Sequence, residues 1–309
     1  MFQSGDVKRW LEDKYTGQEG TMNRSVDPEV IANFACHTGE GPMWHPDEQS
    51  LYWVDIPASK LFRFCPETGD TITYDTGSNV GGFTIHEDGK LLLFMANGAV
   101  KLWKDGIVET VIEELPDERG NRFNDVIADP EGRVFCGVMS TEKRKGRLYR
   151  LDPNGSITIV LKDTGTANGM GFSPDLKQMY FCDSGECTIS VFDYDRDTGI
   201  LSNRCILAQP EGDQGKPDGM TVDAEGFIWS ARWNGSCLLK MSPNGQVLEH
   251  LMFPVKKVSC VTFGGDDLTD MYVTTAGGQN PAENGELAGA LFRLNIGVKG
   301  RLEFRSKLI

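Results

Sequence analysis

The sequence of 309 residues contains no run of about 18 consecutive apolar residues, the length that crosses a bilayer as a helix. It also lacks the basic stretch followed by an apolar stretch that marks a secretory leader. Basic residues are scarce: 31 Lys and Arg stand against 45 Asp and Glu, which gives a formal net charge of -14. An acidic surface of this kind repels the phosphate backbone of nucleic acids. We therefore expect a cytoplasmic protein that binds neither nucleic acid nor membrane.

Several catalytic motifs are also missing. The sequence contains no G-x-S-x-G nucleophile elbow, no H-E-x-x-H zinc motif and no G-x-x-x-x-G-K-[ST] phosphate loop. Its four histidines show no paired spacing, and its eight cysteines form no C-x-x-C pair. Most of the cysteines lie in apolar runs such as VFCGVM, which indicates buried free thiols. These absences argue against serine-hydrolase, zincin and P-loop chemistry.

After residue 30 no segment has the 3.6-residue period of an amphipathic helix. Instead, a short acidic turn recurs six times, within HPDEQS, HEDGK, DPEGR, SPDLK, DAEGF and GGDDL. One acidic residue marks each turn: Asp47, Asp88, Glu131, Asp175, Glu225 and Asp266. Consecutive markers are 41, 43, 44, 50 and 41 residues apart. Intervals this even indicate six copies of one structural unit.

Each unit has the pattern of a small antiparallel sheet. A β-type run such as LYWVDI or MYFCDS follows every marker. A pair of alternating runs divided by a turn generally comes next, as in RLYRLDPNGSITIVL. Four strands at a spacing of ~40 to 50 residues predict an all-β fold, a six-bladed β-propeller with four-stranded antiparallel blades. A β-sandwich does not require such even spacing, and a parallel β-α-β array requires helices between its strands.

The repeats predict one propeller domain over residues 28–309, preceded by an extension over residues 1–27 that we expect to be loosely ordered. A propeller ring also needs a strand that joins its last blade to its first. Two β-type runs qualify, the C-terminal RLEFRSKLI and the early PEVIANFA. The sequence does not indicate which of these two runs closes the ring.

A second pattern appears seven residues before each marker, where the innermost strand of each blade is expected to begin. The residues in this register are Glu40, Gly81, Asn124, Asn168, Asp218 and Ser259. Because a pseudo-sixfold axis relates the blades, these side chains are expected to surround one mouth of the central channel. Two carboxylates and two amide oxygens there form a hard-oxygen site that suits a divalent cation. The alternative is that Asn168-Gly169 and Asp218-Gly219 are Asx turns leading into strands; the shared register favours the metal site.

The motifs GEGPMW, RFND, ANGMGFSP and PDGMTVD, together with YWVDI and MYVTTAGG, resemble those of the gluconolactonase, regucalcin and luciferin-regenerating enzyme family from about residue 31 to 300. This resemblance implies a six-bladed propeller that hydrolyses sugar lactones. It implies a divalent ion held by Glu40, Asn168 and Asp218, with Asn124 beside the metal. The family often has R-x-N-D-G where this chain has Val126 in the last position.

The resemblance also implies substrate contacts. Arg122, two residues before Asn124, occupies the position of a family arginine that contacts substrate. Because the two residues lie two apart on a strand, they share one side and can both hydrogen-bond sugar hydroxyls. Glu142 lies where family members place a further substrate-contacting acid, but it is equally consistent with a solvated loop charge. Asp55 and Asp183, at the ends of second strands, either cap turns or face substrate.

Hydrolysis of a lactone requires a polarised ester carbonyl, a delivered water and a stabilised oxyanion. A cation at the channel mouth meets the first and third needs. Ca²⁺ is the ion we expect first, and Zn²⁺, Mn²⁺, Mg²⁺ and Fe²⁺ also fit oxygen ligands. Because Ca²⁺ acidifies water less than Zn²⁺ does, a general base is useful, and Asp218 is the candidate. Two other functions stay open: a phosphotriesterase or arylesterase of similar design, and a calcium-binding propeller without catalysis.

Overall fold

Six antiparallel sheets arranged as the blades of a propeller make up the computed structural model, which describes residues 22–25, 27–210 and 214–308. The expected six-bladed β-propeller with four-stranded blades is confirmed. Most of the expected N-terminal extension, residues 1–21, lies outside the described residues. No helix in the described ranges is long and apolar enough to span a bilayer.

The chain begins with two strands that join blades completed much later in the sequence. These are β1 (Met22–Ser25) and β2 (Glu29–Asn33). Blade one then contains β3 (Gly39–His45), β4 (Ser50–Asp55), β5 (Lys60–Phe64) and β6 (Thr71–Asp75). Blade two contains β7 (Val80–Ile85), β8 (Leu91–Met95), β9 (Val100–Lys104) and β10 (Ile107–Ile112). In both blades the chain runs from the innermost strand outward.

The later blades repeat this order. Blade three follows a 3-10 turn at Pro116–Glu118 and contains β11 (Phe123–Ala128), β12 (Val134–Val138), β13 (Gly146–Leu151) and β14 (Ile157–Thr164). Blade four contains β15 (Ala167–Phe172), β16 (Gln178–Asp183), β17 (Thr188–Asp195) and β18 (Ile200–Ala208). Blade five contains β19 (Lys216–Val222), β20 (Ile228–Trp233), β21 (Cys237–Met241) and β22 (Val247–Met252). Blade six contains β23 (Val258–Gly264), β24 (Asp270–Thr275), a short helix α1 (Pro281–Asn284) and β25 (Ala290–Asn295).

The ring is closed by the early run rather than by the C-terminal one. Strand β2 pairs antiparallel with β25 and supplies the outermost strand of blade six, so N-terminal and C-terminal chain share one sheet. Strand β1 adds a fifth, parallel strand to the outer edge of blade five by pairing with β22. The N-terminal segment therefore ties two neighbouring blades together.

The hydrophobic core lies in layers between neighbouring blades. Between blades one and two, for example, Tyr52 and Val54 pack with Phe83, Leu93 and Trp103, all nearly inaccessible to solvent. Burial of one such side chain contributes roughly 1.5 to 3 kcal/mol. Every residue of the inner strand β7 is buried, whereas most of the outer strand β10 is exposed. The apolar inner strands thus form the rigid wall of the channel.

The acidic turns that recur in the sequence hold the inner hairpins by side-chain hydrogen bonds to backbone. Asp129 accepts hydrogen bonds from the backbone N–H groups of Glu131 (2.9 Å) and Arg133 (3.0 Å). In blade five, Asp223 accepts the equivalent bonds from Glu225 (3.0 Å) and Phe227 (2.9 Å). In these two blades the Asx turns satisfy backbone donors at the tight reversal, which explains the Asp at this position of the motif.

Candidate metal centre and substrate cavity

The six register residues begin the innermost strands, as expected. Each occupies the second or third position of its strand, in β3, β7, β11, β15, β19 and β23. Asn168-Gly169 and Asp218-Gly219 lie inside strands and not in turns. Their glycines serve close approach instead: a Cβ on Gly219 would lie 2.3 Å from Cys260 Sγ, and one on Gly169 would lie 2.4 Å from Met220 N.

Apart from Ser259, the polar register side chains are buried at the wall of one cavity of about 340 Å³. Glu40, Asn124, Asn168 and Asp218 line it, and Arg122 lies beside them. The remaining lining residues are Thr38, Ile56, Met139, Thr166, Ser184, Gly185, Lys216 and Trp233. The structure therefore brings together all the proposed site residues except Glu142. The lining combines hydroxyl, amide and cationic groups with a few apolar side chains.

The two carboxylates of this cavity sit in an unfavourable electrostatic environment. Burial, and then the charges of Asp218 and Asp125, raise the pKa of Glu40 well above its usual range. Burial and the charge of Asp125 likewise raise the pKa of Asp218, although a hydrogen bond from Asn168 opposes the shift. Burial raises the pKa of Asp125 itself to about 6. Buried like charges of this kind are stabilised by a bound cation.

The amide of Asn168 is oriented by two hydrogen bonds. Its Nδ2 group donates to Asp218 Oδ1 and to Ser184 Oγ, the latter at 3.0 Å. Among the described residues no donor reaches Asn168 Oδ1, so this oxygen remains available at the cavity wall. Glu40, Asp218 and this amide oxygen form a hard donor set that fits a divalent ion such as Ca²⁺. No group of three His, Cys, Asp or Glu side chains in the described ranges is arranged for metal binding.

Asn124 differs from Asn168 in what its amide contacts. Its Nδ2 donates to the carbonyl of Ala167 (2.8 Å), and its Oδ1 accepts a hydrogen bond from Arg122 Nη1 (2.6 Å). The same Arg122 nitrogen donates to the carbonyl of Phe123 (2.9 Å). A cationic donor on Asn124 Oδ1 competes with a metal ion for that oxygen. The contacts thus favour Asn124 as the group that holds Arg122 at the cavity rather than as a metal ligand.

Of the three other acids named from the sequence, one lies outside the cavity and two accept hydrogen bonds from backbone N–H groups. Glu142 is exposed, in the loop between β12 and β13, and is not among the residues that line the cavity. Asp55 accepts hydrogen bonds from the backbone N–H groups of His37 (2.9 Å) and Thr38 (3.0 Å). Asp183 accepts the equivalent bonds from residues 165 (2.8 Å) and 166 (2.9 Å). Of the two interpretations of Asp55 and Asp183, the structure supports turn capping.

Several lining residues were not predicted as site residues from the sequence, and Ser184, Lys216 and Trp233 are the most informative of them. Lys216 and Trp233 face each other in register across β19 and β20 and form one wall. Lys257 Nζ lies 5.1 Å from the centre of the Trp233 ring, a cation–π contact on this wall residue. Ser184 follows β16 directly. The only sequence signal for them was proximity: Lys216 precedes Asp218 by two residues, and Ser184 follows Asp183.

Known proteins resemble this chain in both sequence and structure. A family model described as SMP-30/Gluconolactonase/LRE-like region matches residues 38–277. Pentonolactonase XacC of Haloferax volcanii is 45% identical over 293 residues, covering 93% of this chain and 98% of the relative. Regucalcin of Homo sapiens is 33% identical over 291 residues, covering 89% of this chain and 97% of the relative. The crystal structure of a calcium-binding protein, regucalcin, from Agrobacterium tumefaciens superimposes with a TM-score of 0.87 at 26% identity and covers 93% of this chain and 100% of its own.

Proposed function

The chain belongs to the SMP-30/gluconolactonase/LRE-like family, and from this premise we propose that it is a metal-dependent lactonase that opens sugar lactones by adding water to the ester carbonyl. The observation that carries the proposal is the cavity in which two buried carboxylates, a free amide oxygen and an arginine meet. The relative at 45% identity is named a pentonolactonase, which favours aldonolactones, and pentonolactones first among them.

The residues that would hold the ion are Glu40, Asn168 and Asp218. Their oxygens are hard donors with two formal negative charges, which favours Ca²⁺ over softer ions, although Zn²⁺, Mn²⁺, Mg²⁺ and Fe²⁺ accept the same ligands. The related Agrobacterium protein is described as calcium-binding. When bound, the ion supplies Lewis-acid polarisation of the carbonyl and stabilisation of the developing oxyanion.

The chain's own side chains supply the remaining chemistry. Asp218 is the general base, because its carboxylate lines the cavity and is oriented there by the hydrogen bond from Asn168. It takes a proton from the attacking water. Arg122 and Asn124 orient the lactone by hydrogen bonds to its hydroxyl or ring oxygens. Glu142 contacts substrate only if the loop that carries it moves toward the cavity.

The cavity lining favours this function over the two alternatives. A phosphotriesterase or arylesterase binds apolar substrates. A cavity with Arg122, Asn124 and Lys216 in its wall suits a polyol better than an apolar substrate. A binding protein without catalysis does not need a base beside the ligand. The wall also holds Thr38, Thr166 and Ser184, whose hydroxyl groups match those of a sugar.

A pH-stat assay of the purified protein tests the proposal. Xylonolactone, gluconolactone, phenyl acetate and paraoxon are compared with Ca²⁺ present and after chelation. We expect rapid hydrolysis of the two lactones, little of the ester and the phosphotriester, and loss of lactone hydrolysis on chelation. Faster turnover of phenyl acetate or paraoxon contradicts the substrate class. Calcium binding without hydrolysis of any substrate supports the non-catalytic alternative.

A further inference from the structure

Ser184 lies at the cavity wall between two of the residues proposed to hold the ion. It follows strand β16 of blade four, and its hydroxyl reaches across to blade five. The Oγ–H donates to the carbonyl of Pro217 at 2.5 Å. The same oxygen accepts a hydrogen bond from Asn168 Nδ2 at 3.0 Å. One hydroxyl therefore links Asn168 in β15 to the residue directly before Asp218 in β19.

The number of protons at this junction determines the orientation of the Asn168 amide. A serine hydroxyl has a single proton, and here it is engaged by the Pro217 carbonyl. Toward Asn168 the hydroxyl can only accept, so Asn168 must present its NH₂ group and not its oxygen. The thiol of Cys182, at 3.8 Å from Ser184 Oγ, is too distant to compete with a carbonyl at 2.5 Å.

The second proton of the Asn168 amide is also engaged, by Asp218 Oδ1. Both amide protons are thereby used, and Oδ1 is left facing the cavity without a donor from the described residues. If the amide were reversed, its oxygen would face a hydroxyl with no proton to give and a carboxylate. That arrangement would be repulsive at both contacts.

We propose that Ser184 is a positioning residue that fixes the Asn168 amide with its oxygen toward the ion and holds the ligand-bearing strands β15 and β19 in register. The inference rests on the proposed metal-dependent function. It assigns the metal affinity of the protein in part to a residue that is not itself a ligand. Outer residues that orient metal ligands typically contribute a factor of about 10 to 100 in metal affinity.

The test compares Ca²⁺ affinity, measured by calorimetry on chelator-stripped protein, in wild type, Ser184→Ala and Ser184→Thr. We expect the alanine variant to bind Ca²⁺ about 10- to 100-fold more weakly, with the thermal midpoint of the metal-free protein nearly unchanged. Threonine keeps the hydroxyl and should restore affinity to within about threefold. Ser190→Ala is the matched control, because Ser190 is a buried serine in the same blade that accepts its hydrogen bond from Arg204 (3.0 Å); its Ca²⁺ affinity should equal that of wild type.

Other results overturn the inference. Wild-type Ca²⁺ affinity in Ser184→Ala does so directly. Unchanged affinity with a raised KM for the lactone assigns Ser184 to substrate binding instead. If the alanine variant is unstable, Ser184→Cys, which is slightly larger and whose thiol donates and accepts only weakly, should also lower the affinity, and wild-type affinity there contradicts the proposal. A wild-type protein that binds no divalent ion contradicts the proposed metal dependence, and the role of Ser184 with it.

Discussion

Arg122 directly precedes strand β11 and is held at the cavity by oxygen atoms of the first two residues of that strand. Its Nη1 atom donates hydrogen bonds to the Phe123 carbonyl and to Asn124 Oδ1. Among the described residues, Arg122 forms no salt bridge. Burial lowers the pKa of the guanidinium, while the charge of Glu40 opposes the shift; an arginine remains protonated through such shifts. The guanidinium has five donors, so several remain for a ligand in the cavity. Arg122 is therefore an oriented cationic donor and not a structural ion-pair partner.

Replacement of Arg122 by alanine tests this role. We expect kcat/KM for sugar lactones to fall by roughly 10- to 150-fold, equivalent to about 1.4 to 3 kcal/mol for the loss of a charged hydrogen bond. Calcium affinity should stay within a small factor of wild type, because Arg122 does not hold the ion. Steady-state kinetics and calorimetry on the same preparations measure both. Arg196→Ala, which removes an exposed arginine paired with Glu131, should leave both unchanged. Loss of the ion or of the fold in Arg122→Ala contradicts the account.

The proposed ligand residues are easier to predict from the sequence than the rest of the cavity. Glu40, Asn168 and Asp218 are found by counting back from a recurrent turn, because equivalent positions in repeated blades converge on one axis. Ser184 and Trp233 come from the ends of second strands, where the residue type changes from blade to blade. Their role depends on how neighbouring blades pack, and the local sequence does not contain this information.

At the scale of the strands, glycine allows the innermost strands to approach one another around the channel. Gly81 is the register residue of blade two, and a Cβ there would lie 2.0 Å from the carbonyl oxygen of Phe123 and 2.9 Å from the backbone N of Asn124. Both atoms belong to the neighbouring inner strand, and backbone atoms cannot move aside as a flexible side chain does. Gly81 thus sets the distance between blade two and the strand that carries Asn124.

Gly81→Ala should separate these two strands. We expect a loss of stability of about 2 kcal/mol or more, at the upper part of the range for overpacked sites. Lactone hydrolysis should also decrease, because Arg122 and Asn124 lie at the start of the displaced strand. Gly277→Ala is the control, since a Cβ there would come no closer than 3.3 Å to another atom. Chemical denaturation and kinetics measure the two effects, and equal stability of the two variants would refute the packing role of Gly81.

The blade count could be predicted, but the closure of the ring could not. The turns that mark each blade depend on local chemistry, such as the Asx turn at Asp129, and local chemistry is readable in a sequence. The pairing of β2 with β25 joins residues more than 250 positions apart. Both chain ends contain β-type runs, and the local sequence does not indicate which of them pairs with the open edge of blade six.

At the scale of the whole molecule, the C-terminal segment has a different role: it crosses the end of the channel opposite the cavity. Residues 301–308 contact the far ends of the inner strands, where Ser306 N donates to the Ile85 carbonyl (2.8 Å) and Lys307 N donates to the Gly132 carbonyl (2.9 Å). Arg305 pairs with Asp47 (2.7 Å). Glu303 lines a small cavity inside the channel. This segment connects several blades and closes the channel at the end opposite the cavity.

Glu303 makes the stability of this closure depend on pH. Burial raises its pKa to about 7, against the opposing effects of Arg301 and Thr221. Because the pKa of the folded state is above the usual value, the stabilising contribution is fully present below about pH 4.5 and is lost as the pH rises through about 7. We expect the loss to be on the order of 2 kcal/mol.

Glu303→Gln tests this dependence. Thermal unfolding of the metal-free protein is followed from about pH 4.5 to 8 in wild type, Glu303→Gln and Glu109→Gln. Glu109 is exposed on the outer strand β10 and serves as the control. Relative to wild type, Glu303→Gln should become more stable as the pH rises, whereas Glu109→Gln should follow the wild-type curve. Parallel curves for all three proteins would show that Glu303 does not carry a buried charge at neutral pH.

We propose that a divalent ion held by Glu40, Asn168 and Asp218 is required for lactone hydrolysis. The most direct measurement is the rate of xylonolactone hydrolysis by chelator-stripped protein during titration with Ca²⁺, for wild type and Asp218→Ala. We expect the stripped wild type to lose activity and recover it with added Ca²⁺. The variant should bind the ion at least ~10-fold more weakly, since loss of a ligand exceeds the usual cost of losing an outer residue, and should recover little activity. Full activity in stripped wild-type protein, or in stripped Asp218→Ala, would contradict the account.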